Sequence, residues 1–355
     1  MYKHPVYIIQ HWLPAFAERS GIAMLAASLE AHLLVYRRKY VTLRSHSWRV
    51  GEAVRQWGNR YYGSEWNGLL PVWDEWRLAR RIEEKSGAIV HFLWGEMASP
   101  ARPASFRKRG NTLVGTFHAT ARSQPRVLAG YTAHRHFARI SVMSKSQIPF
   151  FVDRGVDPSR IDVTLHGVDV EHYRPAESRP APRDGDPLRL LLVGITERDH
   201  AFAAEVMRAL AGQPVVLRTL TDPHYRSFYN GLNNVVFLPR VSDAELVAEY
   251  QQADLLLMPM LDCTANNSVL ESMACGTPVM INRVGGVSEY VDEQSNFVME
   301  GKALDDWTTR IRALAADRPS LHARRDSVRA WAERYAWERV LPGYLDFYTR
   351  AQATT

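Results

Sequence analysis

The sequence is poor in cysteine and has no long apolar run, and these two absences exclude several classes of protein. Cys263 and Cys275 are its only cysteines and no CxxC spacing occurs, so neither a disulfide framework nor a zinc site of ordinary spacing is expected. No stretch approaches the roughly 18 to 20 consecutive apolar residues that span a bilayer. The first 14 residues have too short an apolar core for a signal peptide. We therefore expect a reducing, cytoplasmic environment without a membrane anchor.

The composition is that of a folded globular protein rather than a disordered or fibrous one. Hydrophobic residues make up 46% of the chain and charged residues 23%, both near the averages for soluble domains. The length of 355 residues exceeds what one hydrophobic core usually organises. The sequence therefore predicts two domains of ordinary size.

Charge is divided unequally along the chain. The formal net charge is +6, but residues 1–175 contain 25 Lys and Arg against 14 Asp and Glu, so they carry +11 and the remainder carries −5. This division predicts two domains with different partners, the basic one facing a polyanion, an anionic membrane surface or an acidic substrate.

Short apolar runs alternate with helical patterns, most clearly in the second half. Ser242 with Glu245 three residues later is a capping box that predicts a helix start. Alternation of this kind is typical of βαβ units with parallel sheets. The predicted strands are 6–10, 88–93, 112–117, 140–143, 161–165, 188–193, 214–217, 235–238, 253–258 and 278–281, and the predicted helices include 20–34, 201–210, 242–252 and 267–275. The sequence thus predicts an α/β fold with two Rossmann-like domains.

The segment 174–187 contains four prolines and almost no apolar residue, which is typical of an exposed linker. We therefore predict a first domain over 1–173, a second over 188–335 and a C-terminal helical segment over 336–355. Asp184 and Asp186 match the Asp-x-Asp pattern of some metal sites, but a turn within the linker is the better interpretation, and no metal site is predicted.

The loop and helix over residues 259–276 form the strongest candidate site. Small polar residues follow the strand 253–258 and precede a helix, whose free N–H groups and positive dipole end suit an anion such as phosphate. Glu271 lies one turn into that helix. Its carboxylate can accept hydrogen bonds from paired ribose hydroxyls, or it can simply stabilise the helix dipole.

The segment SVLESMACGTPVMINRVGGVSEYV (268–291) closely resembles the signature of retaining GT-B-fold glycosyltransferases of the large family four. LHGVDVEHYRP (165–175) resembles the interdomain motif of that family, with His166 in place of its Asn. The resemblance implies two domains facing a central cleft and a C-terminal helix that returns to the first domain. It also implies transfer from a nucleotide-diphosphate sugar to a glycan, lipid-linked or small-molecule hydroxyl, with no metal or other cofactor.

Site residues follow from the same resemblance, position by position. His118, Glu271 and Arg198 are the predicted catalytic residues. Glu271 would hold the donor ribose, and Leu238 and Arg240 would border the base. The remaining predicted donor contacts are Gly194, Cys263, Asn266, Asn267, Ser268 and Val269, and Ser20 and Gly21 stand in the loop that meets phosphate or acceptor.

The sequence departs from the family pattern at three positions. Cys263 replaces the first glutamate of the signature pair, and Ile195 and His200 replace the Arg and Lys that neutralise the diphosphate. Arg198, in the same loop, is the candidate replacement, because a departing diphosphate needs positive charge. The alternative is that Arg198 pairs with Glu197 or Asp199 in solvent.

The predicted acceptor region is basic and aromatic. Residues 34–62 contain seven Lys and Arg, two Trp and four Tyr, and residues 107–109 add a basic cluster. This composition suits a lipid headgroup or lipid-phosphate acceptor at the inner membrane face, and single-stranded nucleic acid ranks lower because no nucleic-acid module accompanies it. Two alternatives to a transferase stay open: a catalytically impaired nucleotide-sugar-binding protein and another GT-B enzyme such as a nucleotide-sugar epimerase.

Overall fold

Contacts between residues divide the chain into two units. The computed structural model describes residues 5–12, 21–32, 35–41, 82, 87–98, 107, 110–178 and 185–354. The first unit combines Met1–His166 with Trp337–Thr355, and the second comprises Gly167–Ala336. The C-terminal residues therefore belong to the first unit although they follow the second in sequence.

The described strands and helices alternate along most of the chain. The strands are β1 (Val6–Trp12), β2 (Val35–Val41), β3 (Ile89–Phe92), β4 (Thr112–Phe117), β5 (Arg139–Val142), β6 (Ile161–Val163), β7 (Leu188–Val193), β8 (Val215–Leu220), β9 (Val235–Phe237), β10 (Leu255–Met258), β11 (Val279–Asn282) and β12 (Phe297–Met299). The α-helices are α1 (Ile22–His32), α2 (Gln124–Val127), α3 (Ile148–Val152), α4 (His200–Ala209), α5 (Asp243–Gln252), α6 (Asn267–Ala274), α7 (Val287–Tyr290), α8 (Leu304–Ala316), α9 (Arg318–His322), α10 (Arg325–Ala332) and α11 (Trp337–Ala353).

The first unit is built on a parallel sheet with the order β2-β1-β3-β4-β5-β6. Every side chain of β3 and β4 is buried. Strands buried on both faces read as continuous apolar runs in the sequence, which is why these two strands were predictable.

Helix α11 belongs to the first unit and is fixed there by polar contacts as well as by packing. The buried Tyr348 hydroxyl lies 2.7 Å from Nδ1 of His91 on β3, and His91 Nε2 lies 2.8 Å from the Thr116 hydroxyl on β4. Arg350 pairs with Asp162 at 2.9 Å. The prediction of a C-terminal helix that returns to the first domain is confirmed.

The second unit is built on a parallel sheet with the order β12-β11-β10-β7-β8-β9. Strands β7 and β10 are neighbours although β8 and β9 lie between them in sequence, so the strand order reverses at this pair. In open parallel sheets the carboxyl ends of the two strands at such a reversal form the ligand-binding crevice. The loops after Val193 and Met258 are therefore the expected site.

Side-chain caps define where the helices of the second unit begin. The Asp199 carboxylate accepts from Phe202 N at 3.0 Å at the start of α4. The predicted capping box of Ser242 and Glu245 is present at the start of α5. Asn266 caps α6, since its side-chain oxygen accepts from Val269 N.

The predictions missed two strands and placed the domain boundary later than the structure does. The sequence of β2 has consecutive charged residues at its centre, which are typical of an exposed segment rather than of a buried strand. Strand β12 has only three residues, which are too few to show a strand pattern. The units divide between His166 and Gly167, seven residues before the predicted linker 174–187. Residues 168–173 stay with the second unit because Val168 N donates to Tyr335 O at 2.8 Å and Arg329 Nη1 donates to Tyr173 O at 2.8 Å.

Candidate functional site

The end of β7 carries a glycine that makes room for an arginine. Gly194 has φ of +104°, a conformation that glycine adopts readily and other residues do not. A Cβ at this position would lie 2.6 Å from Arg198 Nη2. Glycine therefore allows the guanidinium to lie directly against the end of the strand.

Arg198 is held in place by four hydrogen bonds to neutral groups. It donates to Val193 O at 3.1 Å, to Thr196 O at 2.7 Å, and through Nη2 to Asn266 Oδ1 and Ser268 Oγ, both at 3.1 Å. Desolvation lowers its pKa, but an arginine stays charged at any physiological pH. The guanidinium therefore brings a fixed positive charge to the start of α6.

The alternative that Arg198 pairs with a neighbouring carboxylate is wrong. Within the described part of the chain no carboxylate is among its partners, and Asp199 instead forms an ion pair with Lys302. The backbone carbonyl oxygen of Glu197 accepts a hydrogen bond from Leu261 N at 2.9 Å. The backbone of Glu197 is in the left-handed region, with φ of +58°. The loop geometry thus separates the Arg198 charge from the acidic residues on either side of it.

Helix α6 brings the predicted donor residues together. Asn266 and Ser268 are buried at its start and both accept from Arg198, while Val269 is buried in its first turn. Glu271, which is 5% exposed, accepts a hydrogen bond from the hydroxyl of Tyr250 on α5 at 2.9 Å. Asn267 lies at the same helix start. The Arg198 guanidinium therefore lies beside the N-terminus of α6, and the Glu271 carboxylate lies about one turn further along the same helix.

The three residues that depart from the family pattern supply no charge. The Cys263 thiol is buried and donates to Thr264 O at 3.0 Å, and burial raises its pKa to about 12. His200 is buried between the Tyr229 and Thr221 hydroxyls, and burial together with the Arg198 charge lowers its pKa to about 4. Ile195 is exposed. Arg198 is thus the cation that this loop presents.

The predicted base contacts lie on the same edge of the sheet. Leu238 is half-buried, Arg240 is exposed, and both follow β9. Strand β9 is separated from β7 by β8 alone, so its end lies about 10 Å from Gly194 at the usual strand spacing.

In the first unit, His118 follows the carboxyl end of β4. Its Nε2 lies 2.6 Å from Leu93 O, and because a carbonyl oxygen only accepts, this nitrogen carries the proton. Its ring stacks on Trp94 with centroids 4.0 Å apart. Burial lowers its pKa to about 4, so the imidazole is neutral near pH 7.

Glu96 is a buried carboxyl group that sequence reasoning missed. Its Oε1 accepts from the backbone N–H of His118 and, at 2.7 Å, from that of Ala119. Its Oε2 is buried with no hydrogen-bond partner among the described residues. Desolvation raises its pKa to about 7 against the opposing effect of the two N–H donors. Glu96 thus fixes the backbone that carries His118.

The sequence carries a signal for Glu96 but none for Tyr250. Glu96 lies four residues after the end of β3, where the rule that ligands bind beyond strand ends would have directed attention. Tyr250 lies in the last turn of α5 and reads as an ordinary core residue, because its partner Glu271 is 21 residues away.

Some predicted residues lie outside the described residues. These are Ser20, Asp184, Lys108, Arg109 and most of the basic aromatic stretch after Val41. Gly21 is described, with φ of +61°, immediately before α1. Arg107 is described and exposed. The predicted acceptor surface therefore remains a prediction.

The described residues contain neither a membrane-spanning helix nor a cluster of metal-ligating side chains. No helix in these ranges is both long and apolar enough to cross a bilayer. No three His, Cys, Asp or Glu side chains of these ranges are grouped so that they could hold a metal ion.

Sequence comparison finds that part of the second unit is similar to a known family. Residues 188–317 match the family model described as "Glycosyl transferases group 1". A D-inositol 3-phosphate glycosyltransferase of Rhodococcus jostii (strain RHA1) is 28% identical over 221 residues, which are 56% of this chain and 49% of that protein. A protein of the same name from Nocardia farcinica (strain IFM 10152) is 29% identical over 223 residues, or 56% and 49%. The chain spans about half the length of the curated relatives it matches.

Structural comparison extends the similarity to both units. A glycosyltransferase of Rickettsia africae ESF-5 has a TM-score of 0.69 at 15% identity, covering 99% of each chain. Sucrose-phosphate synthase of Thermosynechococcus elongatus has a TM-score of 0.70 at 15% identity, covering 99% of this chain and 100% of that one. At such identities the likeness concerns the fold alone. The fold of the two units is α/β and of the GT-B type, as predicted.

Proposed function

We propose that the chain is a retaining glycosyltransferase that moves a sugar from a nucleoside-diphosphate sugar to a hydroxyl of a glycan, lipid-linked or small-molecule acceptor. The observation that carries this proposal is the Arg198 guanidinium, which lies at the strand reversal, contacts the start of α6 and has no carboxylate partner among the described residues. Fixed positive charge beside a helix N-terminus suits a diphosphate, whose negative charge grows as the glycosidic bond breaks.

The proposed reaction needs no protein-bound metal. The acceptor hydroxyl attacks the anomeric carbon on the face from which the diphosphate leaves. The bond from that carbon to the phosphate oxygen breaks, the bond to the acceptor oxygen forms, and the departing phosphate takes the hydroxyl proton. Arg198 stabilises the departing diphosphate, Glu271 holds the ribose, and the neutral His118 ring hydrogen-bonds a hydroxyl of the reacting sugar.

The binding-protein alternative is favoured by one specific observation. The thiol of Cys263 is a weak hydrogen-bonding group and its proton is directed to Thr264 O, whereas a glutamate in that place could accept from donor-sugar hydroxyls. Loss of those contacts would weaken transfer without abolishing nucleotide binding. Transfer and binding must therefore be measured separately.

The binding test compares a nucleoside diphosphate with its nucleoside by calorimetry, in wild type and in Arg198→Met. UDP, GDP, dTDP and ADP are screened first, since the base is unassigned. Losing hydrogen bonds from a cation to phosphate should weaken diphosphate binding about 10- to 100-fold and leave nucleoside binding almost unchanged. Arg208→Met, which removes an exposed arginine of α4, is the matched control. Equal losses for diphosphate and nucleoside would reject the role of Arg198.

The transfer test uses the matching nucleotide sugars with a panel of glycan, lipid-linked and small-molecule acceptors. An inositol phosphate is included because the curated relatives are named for one. The proposal predicts a product with the anomeric configuration of the donor, read by proton NMR, and activity that survives EDTA. Tight diphosphate binding without transfer or hydrolysis would favour the binding protein. Conversion of the donor sugar without transfer would favour an epimerase.

We also propose that the enzyme acts in the cytoplasm, with its basic first domain on an anionic membrane surface. The support is the net charge of +11 over residues 1–175, since each basic residue near an anionic surface contributes about 1 kcal/mol of attraction. Vesicle flotation tests this proposal.

A further inference from the structure

Tyr250 and Glu271 form a buried pair beneath the candidate donor site. Tyr250 is fully buried on α5, and Glu271 on α6 is 5% exposed. The Tyr250 hydroxyl donates to Glu271 Oε2 at 2.9 Å. The backbone around Tyr250 is fixed as well, because the hydroxyl of Thr277 donates to Tyr250 O at 2.6 Å. The hydrogen bond of this pair therefore joins α5 to α6.

The Tyr250 hydroxyl keeps its proton and so remains a donor. Burial, together with the negative charge of Glu271, raises its pKa well above the usual value of 10. Ser268 lies beside the Tyr250 hydroxyl and partly offsets that rise. The same Ser268 oxygen accepts from Arg198 Nη2 at 3.1 Å. Arg198, Ser268, Tyr250 and Glu271 thus form one contiguous polar line through the site.

A carboxylate that recognises two adjacent hydroxyls must present its oxygens in a defined plane. The terminal torsion of a glutamate is broad, so the group rotates readily unless something holds it. A donor fixed on one oxygen restricts that rotation and leaves the remaining lone pairs in set directions. The Tyr250 hydroxyl is placed to act in this way.

We propose that Tyr250 is a positioning residue that orients Glu271 and thereby makes the site select ribonucleotide over deoxyribonucleotide donors. The proposal rests on the proposed function, because it takes the donor to be a nucleotide whose ribose reaches Glu271. Tyr250 acts through Glu271 and does not itself contact the donor.

Tyr335 supplies a control in the same unit. It is also buried, at 4% exposure, and its hydroxyl donates to Glu289 O at 2.7 Å. Tyr335→Phe and Tyr250→Phe therefore each remove a buried tyrosine hydroxyl from the second unit, but only the second removes a bond to Glu271.

The experiment measures by calorimetry the dissociation constants of a nucleoside diphosphate and of its 2′-deoxy analogue. The quantity compared is the ratio of the deoxy to the ribo constant, which cancels general losses of affinity. We expect a ratio of about 10 to 100 in wild type, the range for one hydrogen bond to a charged group. Tyr250→Phe should lower that ratio by about threefold to tenfold, whereas Tyr335→Phe should leave it unchanged.

A double-mutant cycle with Glu271→Gln tests whether Tyr250 acts through Glu271. In the Glu271→Gln background, Tyr250→Phe should no longer change the ratio. An unchanged ratio in Tyr250→Phe, or an equal effect with and without Glu271, overturns the proposal. If Tyr250→Phe does not fold, Tyr250→Met, which fills much of the ring volume with an adaptable side chain and no N–H or O–H donor, takes its place and is held to the same ratio.

The two proposals fail in different ways. If wild type binds none of the nucleoside diphosphates, the proposed function fails. If wild type binds and prefers the ribonucleotide while Tyr250→Phe keeps that preference, only the role of Tyr250 fails.

Discussion

Glu96 provides a prediction whose size follows directly from its surroundings. Its carboxyl group is 6% exposed, and its Oε2 has no partner among the described residues. Burial raises its pKa from 4.5 to about 7. Since one unit of pKa corresponds to about 1.4 kcal/mol, ionisation in the folded state costs about 3 kcal/mol.

The sign of the pH dependence follows from linkage. Below pH 4.5 the carboxyl group is protonated in both the folded and the unfolded chain. Between pH 4.5 and 7 the unfolded chain loses the proton while the folded chain keeps it, so the free energy of unfolding falls as the pH rises. Above pH 7 both states are ionised and the loss is constant.

Glu96→Gln keeps an oxygen for the two backbone donors but removes the titration. Relative to wild type, the variant should gain about 1 kcal/mol at pH 5 and about 3 kcal/mol at pH 8. The assay is urea unfolding of both proteins from pH 5 to 8. The difference between them cancels the titration of the buried histidines, which both proteins share.

The control for Glu96 is Asp346→Asn, which removes an exposed carboxylate of α11 in the same unit. A substitution at such an exposed position usually changes the free energy of unfolding by about 0.5 kcal/mol or less. A flat difference for Glu96→Gln over the same pH range would refute the reasoning, because it would mean that the folded protein does not hold this carboxyl group protonated. A more stable but less active Glu96→Gln would indicate that the carboxylate serves the His118 loop at the expense of stability.

Two further predictions concern Gly285, which packs against the backbone of Cys263, and the binding of the protein to membranes. Gly285 has φ of +52°, and a Cβ there would overlap the carbonyl oxygen of Cys263; Gly285→Ala should therefore destabilise the second unit by about 2 kcal/mol or more and abolish diphosphate binding. Gly301→Ala, with nothing within 4 Å of the added Cβ, is its control, and equal melting temperatures for the two variants would contradict the overlap. In flotation, vesicles containing about one-third anionic lipid should carry the protein at low salt and release it at about 0.5 M salt, because screening removes the attraction. Failure to bind such vesicles at low salt would reject the membrane proposal.

The elements that were predicted well are those encoded by neighbouring residues. The runs 112–117 and 188–193 coincide with β4 and β7, because strands buried on both faces leave an apolar signature that needs no partner to be read. The capping box of Ser242 and Glu245 could likewise be predicted from the sequence, because both residues lie in one helical turn. Glu271 was found through its motif and its place one turn into α6.

The sequence by itself determined the α/β class, the two Rossmann-like units, the order of most strands and helices, and the family signature of the second unit. Only the tertiary structure decided that Arg198 donates to neutral groups rather than to Glu197 or Asp199, that His200 is held neutral, and that Tyr250 holds Glu271. The contacts of the folded chain bring together residues that are far apart in sequence. Arg198 and Ser268, for example, are separated by 70 positions. Periodicity and capping depend on residues within one or two turns, whereas burial and the identity of a hydrogen-bond partner depend on which distant segments pack together, and that is a property of the folded chain.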